Sequence, residues 1–132
     1  MGMTLTEEAI EGLAEGLFVL KKTQHFISSK SPDGPKVLED WTDPEFVRNY
    51  CLAMIVEVTE FMNELNWKPW LTEKKKVDRE KLIMEAADIL AFLGVILKML
   101  SANGISTTDL ARAYDQKSTK NLARFAAQKL AE

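Results

Sequence analysis

The sequence predicts an all-α protein in which four helices pack as a bundle. Apolar residues recur at steps of three and four along four long segments, which is the spacing of one helix face. Residues that favour turns are concentrated between these segments. One segment is apolar nearly all round, as expected for a helix in the centre of a bundle. We expect residues 1–132 to form a single all-α domain.

The first helix is predicted from about Thr6 to Ser28. Thr4 and Glu7 have the spacing of a capping box, which would close its amino-terminal end. A loop rich in proline, glycine and aspartate, residues 30–41, separates it from the second helix. The apolar row of the first helix, which one glutamine continues, consists of Ile10, Leu13, Leu17, Leu20, Gln24 and Ile27.

The second helix is predicted to begin near Asp43, because Pro44 suits the first helical position, and to end at about Asn66. Cys51 lies within its apolar pattern and is interpreted as a small core residue. A loop over residues 67–77 then leads to the third helix.

The third helix is predicted to follow a cap at Asp78 and to run to Asn103, where Gly104 stops it. Its central stretch LIMEAADILAFLGVILKML carries only three charges, on Glu85, Asp88 and Lys98. This pattern predicts a central, buried helix. A fourth helix is predicted from Thr107 or Thr108 to the carboxyl terminus.

Composition excludes several classes of function. The net charge of −3 gives no overall basic field, so nucleic acid is not an expected partner. The longest apolar run, Ile89–Leu97, is too short to span a bilayer, and no signal peptide is evident, so no membrane partner is expected. The single cysteine suits a reducing cytoplasm. A chain this short buries a modest core, so self-association is expected.

Two pairs of carboxylates stand out on adjacent predicted helices. Glu57 and Glu60 are three residues apart on the second helix, and Glu85 and Asp88 repeat that spacing on the third. Residues three apart lie on one helix face, about 5–6 Å apart at Cβ. The pairs continue apolar rows, so both are expected to point into the bundle. Glu64 extends the first row, but it also fits a solvated position at the helix end.

Four carboxylates in one partly dry space repel one another, and a divalent metal is the simplest compensation. Oxygen ligands suit Mg²⁺, with Mn²⁺ as the alternative. A single histidine and a single cysteine argue against di-iron and zinc sites. The competing interpretation is a solvated acidic face or salt bridges to lysine or arginine.

An aromatic loop follows the first carboxylate pair. Trp67 and Trp70 can stack on a nucleobase and Lys68 can reach phosphate, although closure of the tryptophans over the core is the alternative. Since Mg²⁺ in proteins usually shares phosphate ligands, a carboxylate-bound Mg²⁺ indicates phosphate chemistry. No P-loop or nucleophile-elbow motif occurs.

Together these motifs resemble the all-α nucleoside triphosphate pyrophosphatase superfamily, which includes MazG-type enzymes and dimeric dUTPases. Glu57-x-x-Glu60, the NELNWKPW loop and Glu85-x-x-Asp88-I-L-A-F carry the first part of the resemblance. The stretch AYDQKSTKNLAR resembles the fourth-helix signature of the dUTPase branch and its phage relatives. The signature residues, which share one helix face, are Tyr114, Lys117, Asn121 and Arg124.

The resemblance implies hydrolysis of a nucleoside triphosphate to a monophosphate and pyrophosphate. It implies that Mg²⁺ is bound by the two carboxylate pairs, which would also be the catalytic residues. It implies that Lys117 and Arg124 neutralise phosphate charge, and that Asn121 and Tyr114 hold sugar or phosphate. Gln24 is the candidate for reading the base, with a buried glutamine bonded to backbone as the alternative.

The resemblance also leaves choices open. The chain is shorter than the usual dimeric dUTPases and is closer to the minimal MazG-type unit, which completes its site with a neighbouring subunit, so a homodimer or homotetramer is implied. dUTP and dGTP are the leading substrates, with dCTP or a broad range as further options. For a phage-encoded chain the location would be the host cytoplasm. The alternative function is a non-catalytic helical module that binds nucleotide or another protein.

Overall fold

The computed structural model describes residues 4–30 and 41–131, and these form an all-α fold. Most of the predicted loop over residues 30–41 lies outside the described residues. The described part contains helices and connecting turns, and it contains no strand. The helices are α1 (Glu7–Ser29), α2 (Pro44–Asn63), α3 (Arg79–Ala102) and α4 (Thr107–Ala131). The predicted fold class is therefore confirmed.

Local sequence signals set most helix ends. The Asp78 side chain accepts hydrogen bonds from the first backbone N–H groups of α3, as predicted, and Asp43 does the same for α2, which begins at Pro44. Gly104 has φ of 87°, a conformation that glycine adopts without steric cost just after a helix. Helix α2 ends at Asn63, earlier than the predicted Asn66.

Ser106 and Asp109 close the amino-terminal end of α4. The Asp109 N–H donates to Ser106 Oγ at 3.0 Å, and the Ser106 N–H donates to Asp109 Oδ2 at 2.9 Å. This reciprocal pair satisfies two backbone donors and starts the helix at Thr107, one of the two predicted positions.

The predicted capping box of Thr4 and Glu7 was wrong. Thr6 caps α1 instead, and its Oγ1 accepts a hydrogen bond from the Ala9 N–H at 3.1 Å. Thr4 forms a hydrogen bond with Thr119 of α4, and Glu7 pairs with Arg112 of α4. These contacts with α4 engage both side chains, and Thr6 caps the helix in their place.

Helix α3 is central, as predicted, because it packs against both α1 and α2. Its predicted burial is confirmed at Val95 and Leu97 but is wrong at Ile83 and Met84, which are exposed. Helix α4 packs on α1, so the principal contacts join the helices in the order α2–α3–α1–α4. Gly94 allows α3 to approach α1 closely. A Cβ there would lie 2.8 Å from the Leu20 carbonyl oxygen and 2.5 Å from Gln24 Cγ.

The core consists of two small clusters rather than one. Ile10, Ala14 and Ala111 join α1 to α4, and Phe46 and Val95 join α2 to α3. Cys51 is exposed, so its interpretation as a core residue was wrong. Among the described residues, α2 has its principal contacts with α3, and Cys51 lies beside other exposed residues of α2 such as Ile55 and Val58.

Helix α4 extends past the amino-terminal end of α1. Ala111 packs against the first turns of α1, Asp115 accepts a hydrogen bond from the Leu5 N–H at 2.7 Å, and Thr119 bonds to Thr4. Residues 120–131 are all exposed. In the described part of the chain, no helix is both long enough and apolar enough to cross a membrane.

Candidate metal centre

Helices α2 and α3 bring the two predicted carboxylate pairs together. Glu57 and Glu60 come from α2, and Glu85 and Asp88 come from α3. One oxygen from each of the four side chains lies within 4.8 Å of the others. The spacing of three within each pair places both members on the face that meets the neighbouring helix. The four side chains thus form one cluster, which we call the carboxylate cluster.

Two members of the cluster are half-buried and poorly solvated. Glu57 Oε2 and Glu85 Oε2 are shielded from water and accept no hydrogen bond within the described residues. Burial raises the pKa of Glu57 above its ordinary value, and the negative charges of Glu60 and Asp88 raise it further. The pKa of Glu85 is raised by the same causes in the same order. Without a cation, the folded protein therefore holds these charges at a cost.

The donor set fits a divalent metal ion that prefers oxygen ligands. Among the described residues, every side chain that shifts the pKa of Glu57 by charge or hydrogen bonding is a carboxylate, and no lysine or arginine lowers that pKa. Glu57 Oε2 on α2 and Glu85 Oε2 on α3 accept no hydrogen bond from the described residues, so both oxygens are available to bind a metal ion. Carboxylate-only ligation suits Mg²⁺ or Mn²⁺ and does not suit Zn²⁺.

Glu64 lies at the edge of the cluster rather than inside it. It is the carboxy-terminal cap residue of α2, and it is not one of the four converging side chains. Its charge nevertheless contributes to the raised pKa of Glu85, after the effects of burial, Glu60 and Asp88. Glu64 therefore lies at the helix end, where both sequence-based alternatives, an outer ligand and a solvated residue, had placed it.

The tryptophan loop, residues 67–77, follows α2 closely and is held in place by side-chain hydrogen bonds. The Asn66 side chain accepts from the Lys75 N–H at 3.0 Å and donates to the Lys75 carbonyl at 2.8 Å, which closes the loop. The Trp67 indole donates to Asn63 Oδ1 at 2.9 Å. Trp67 and Trp70 meet edge to face with ring centroids 5.8 Å apart, and both are exposed.

Lys68 belongs to the same loop and lies with its amine 5.6 Å from the centroid of the Trp67 ring. Trp67, Lys68 and Asn66 line a cavity of about 320 Å³. The loop therefore offers an aromatic and cationic surface that begins seven residues after Glu60, and neither tryptophan closes over the core.

A second cavity, which we call the Gln24 cavity, lies on the other side of the carboxylate cluster. It has a volume of about 440 Å³ and is lined by Gln24 of α1, Asn49 of α2 and Phe92 of α3, among others. Phe92 is one helical turn beyond Asp88, so the cavity adjoins the cluster along the α2–α3 groove. Sequence reasoning identified Gln24 but missed Asn49, which gives no periodic signal because it lies among the polar residues of the first turns of α2.

The fourth-helix signature lies away from the carboxylate cluster within one chain. Tyr114, Lys117, Asn121 and Arg124 are all exposed. Helix α4 packs on the amino-terminal half of α1 and continues past Thr4, whereas Gly94 of α3 meets Gln24 in the carboxy-terminal half of α1. Since Glu85 and Asp88 precede Gly94 on an antiparallel helix, the signature and the cluster lie towards opposite ends of the molecule. Salt bridges from Lys117 or Arg124 to the cluster therefore do not form within these described residues.

Comparison with known proteins supports the interpretation of the α1–α3 region. No curated protein and no solved structure matches significantly. A family model described as dUTPase matches residues 22–99, more than half of the chain. The match covers Gln24, both carboxylate pairs and the tryptophan loop, and it ends before α4. The chain therefore belongs to this dUTPase family, the group of all-α dimeric dUTPases and MazG-like proteins.

Proposed function

We propose that the protein is a metal-dependent nucleoside triphosphate pyrophosphohydrolase that converts a deoxynucleoside triphosphate to the monophosphate and pyrophosphate. The observation that carries the proposal is the convergence of Glu57, Glu60, Glu85 and Asp88 within 4.8 Å in a member of the dUTPase family. The family supports hydrolysis of a nucleotide, and the cluster supplies the groups that such chemistry needs.

The carboxylate cluster would hold Mg²⁺ or Mn²⁺. A divalent ion bound there would neutralise phosphate oxygens and favour ionisation of an attacking water. The chain's own contribution is to fix the carboxylates on two packed helices, so that they need no rearrangement when the ion binds. Glu57 Oε2 and Glu85 Oε2 accept no hydrogen bond from the described residues, so either oxygen is available to bind the ion or to orient the attacking water.

The base and sugar fit best in the Gln24 cavity. Its walls are largely apolar, with an aromatic ring from Phe92 and amides from Gln24 and Asn49, which is the pattern of a small-molecule site with a few orienting polar groups. The tryptophan loop flanks the cluster on the opposite side and is the competing location. Gln24→Ala should change selectivity among bases if the cavity holds the base, whereas Trp70→Ala should do so if the loop holds it.

The fourth-helix signature would act on the substrate of a second copy. Lys117, Asn121 and Arg124 cannot meet the cluster of their own chain, because they lie towards the other end of the molecule. Residues 120–131 carry three positive side chains, an excess that complements the negative carboxylate cluster. We therefore expect a homodimer or homotetramer in which α4 of one copy supplies cations to the phosphates bound by another.

The experiment that tests the proposal is incubation of the purified protein with each deoxynucleoside triphosphate and Mg²⁺, followed by separation of the products. Formation of the monophosphate together with pyrophosphate is expected for at least one nucleotide, with dUTP and dGTP tested first and dCTP next. Release of single phosphate, or no product from any nucleotide, would contradict the proposal.

A further inference from the structure

A basic cavity lies between α1 and α3, apart from the carboxylate cluster. Its volume is about 310 Å³, and we call it the lysine cavity. Four of its lining residues can carry positive charge, and none of the described lining residues is acidic. The lining residues are Phe18, Lys21, Lys22, His25, Lys98, Ser101 and Ala102.

Lys98 supplies charge from a buried position. Its side chain is 5% exposed, and its amine nitrogen is shielded from bulk water. It is the only lysine or arginine in the apolar stretch of α3 after Asp88. A positive charge in so weakly solvated a place acts strongly on an anion in the adjoining cavity, because the local dielectric is low.

Lys21 is held at the cavity by two contacts. Its amine donates to Ser101 Oγ at 3.2 Å and lies 4.4 Å from the centroid of the Phe18 ring. These contacts fix one end of a flexible side chain, so less conformational freedom is lost when an anion binds. Lys22 and His25 complete the rim on the same helix.

We propose that the lysine cavity binds an anion of the phosphate class without the help of a metal ion. Lys98 is ten residues beyond Asp88 on α3, which corresponds to about 15 Å along the helix axis. The two places also have opposite charge, so phosphate can bind at the carboxylates only through a cation, whereas the lysine cavity attracts it directly. This site is additional to the proposed active site and does not depend on it.

His25 provides a direct readout because it is the one histidine of the chain. Its imidazole proton signals are followed by NMR at constant pH and ionic strength, with EDTA present, while inorganic pyrophosphate is added to the full-length protein. Sodium chloride at matched ionic strength controls for screening. A saturable shift with pyrophosphate, absent with chloride, is expected. No saturable shift would overturn the proposal.

Two double variants test the assignment of the site. Lys21→Gln with Lys22→Gln removes two charges from the rim of the cavity, the first half-buried and the second exposed. Lys74→Gln with Lys76→Gln removes two exposed charges from the tryptophan loop. The first should weaken pyrophosphate binding at least tenfold, and the second should leave it unchanged. Equal affinity in both variants would overturn the proposal even if His25 responds to pyrophosphate.

Two further measurements distinguish the lysine cavity from the proposed active site and identify which kind of phosphate compound binds in the cavity. Asp88→Asn should bind pyrophosphate in EDTA as the unaltered chain does, whereas loss of binding would place the anion at the carboxylates and overturn the proposal. Titration with dUTP in EDTA then compares a nucleotide with free pyrophosphate. Tighter binding of dUTP would identify a nucleotide tail as the occupant, and equal or weaker binding would identify free polyphosphate.

Discussion

At the scale of single residues, Glu57 and Glu85 have raised pKa values because each is half-buried beside other carboxylates. The sequence predicted this cluster because isolated charges at a spacing of three are conspicuous in an apolar helix. It could not predict which members are buried, since that depends on how deeply α2 and α3 pack. The contacts show that one glutamate from each helix occupies the poorly solvated position.

Neutralising one buried member should stabilise the metal-free protein. Glu57→Gln removes a charge that Glu60 and Asp88 repel and keeps the shape of the side chain. We expect a higher melting temperature than that of the unaltered chain in EDTA at pH 7.5, and a smaller rise on addition of Mg²⁺. Glu80→Gln, at an exposed position in the first turn of α3, is the matched control. A lower melting temperature for Glu57→Gln in EDTA would indicate a structural salt bridge instead.

The pH dependence of stability should have two opposite slopes. A carboxyl whose pKa is raised in the folded state binds its proton more tightly there, so Glu57 and Glu85 favour folding as the pH falls from 7 towards 5. The pKa values of Glu7 and Asp109 are lowered, by Arg112 and by Ser106 respectively. Glu7 and Asp109 therefore stabilise the folded state at pH values above their ordinary pKa values. This stabilisation is lost as the pH falls through their lowered pKa values.

The melting temperature of the metal-free protein, measured by calorimetry, should therefore rise on acidification from pH 7.5 to about 5 and fall again below about 4. Glu57→Gln should reduce the rise and leave the fall unchanged. A melting temperature that drops steadily from pH 7.5 downwards would contradict the charge repulsion assigned to the cluster.

At the scale of helices, most local signals were predictable, whereas most contacts between helices other than the carboxylate cluster were not. Asp43, Asp78 and Gly104 act on their own helix ends, and all three behave as the sequence indicates. Thr4 and Glu7 have an equally good local pattern, but contacts with α4 override it. The Gln24 cavity could not be predicted from the sequence for the same reason. Its lining residues come from α1, α2 and α3, and they meet only when these helices pack in the observed register.

Two glycines of similar local setting should respond oppositely to a methyl group. Gly94→Ala places its Cβ 2.8 Å from the Leu20 carbonyl, so the backbones of α1 and α3 must separate, at a cost of about 1–3 kcal/mol. Gly12→Ala meets nothing within 4 Å in the middle of α1 and should stabilise by about 0.5–1 kcal/mol. Urea denaturation measures both. Equal effects of the two substitutions would contradict the close approach at Gly94.

At the scale of the whole molecule, the described residues leave several large apolar side chains of α2 exposed. Leu52, Ile55, Val56 and Val58 are between 45% and 58% exposed. Exposed apolar side chains grouped on one helix often mark a site of protein association, so we expect a second copy to cover them. Cys51 was misread from the sequence because an apolar helix pattern does not distinguish a buried face from an exposed one.

A charge on this surface should therefore weaken self-association. Ile55→Asp places a carboxylate at its centre, and sedimentation should show a dissociation constant at least tenfold higher than that of the unaltered chain. Thr23→Asp, which adds the same charge at an exposed position of α1, should associate normally. A purely monomeric unaltered protein, or identical behaviour of the two variants, would contradict the proposed interface.

The most direct test of the central claim is the rate of pyrophosphate release from deoxynucleoside triphosphates by the unaltered chain, Asp88→Asn and the control Glu80→Gln, each with Mg²⁺ and with EDTA. We predict release by the unaltered chain and the control in Mg²⁺, and a loss of about 100-fold or more in EDTA and in Asp88→Asn. Release that persists in Asp88→Asn, or that is independent of the metal, would contradict the assignment of the carboxylate cluster as the catalytic metal centre.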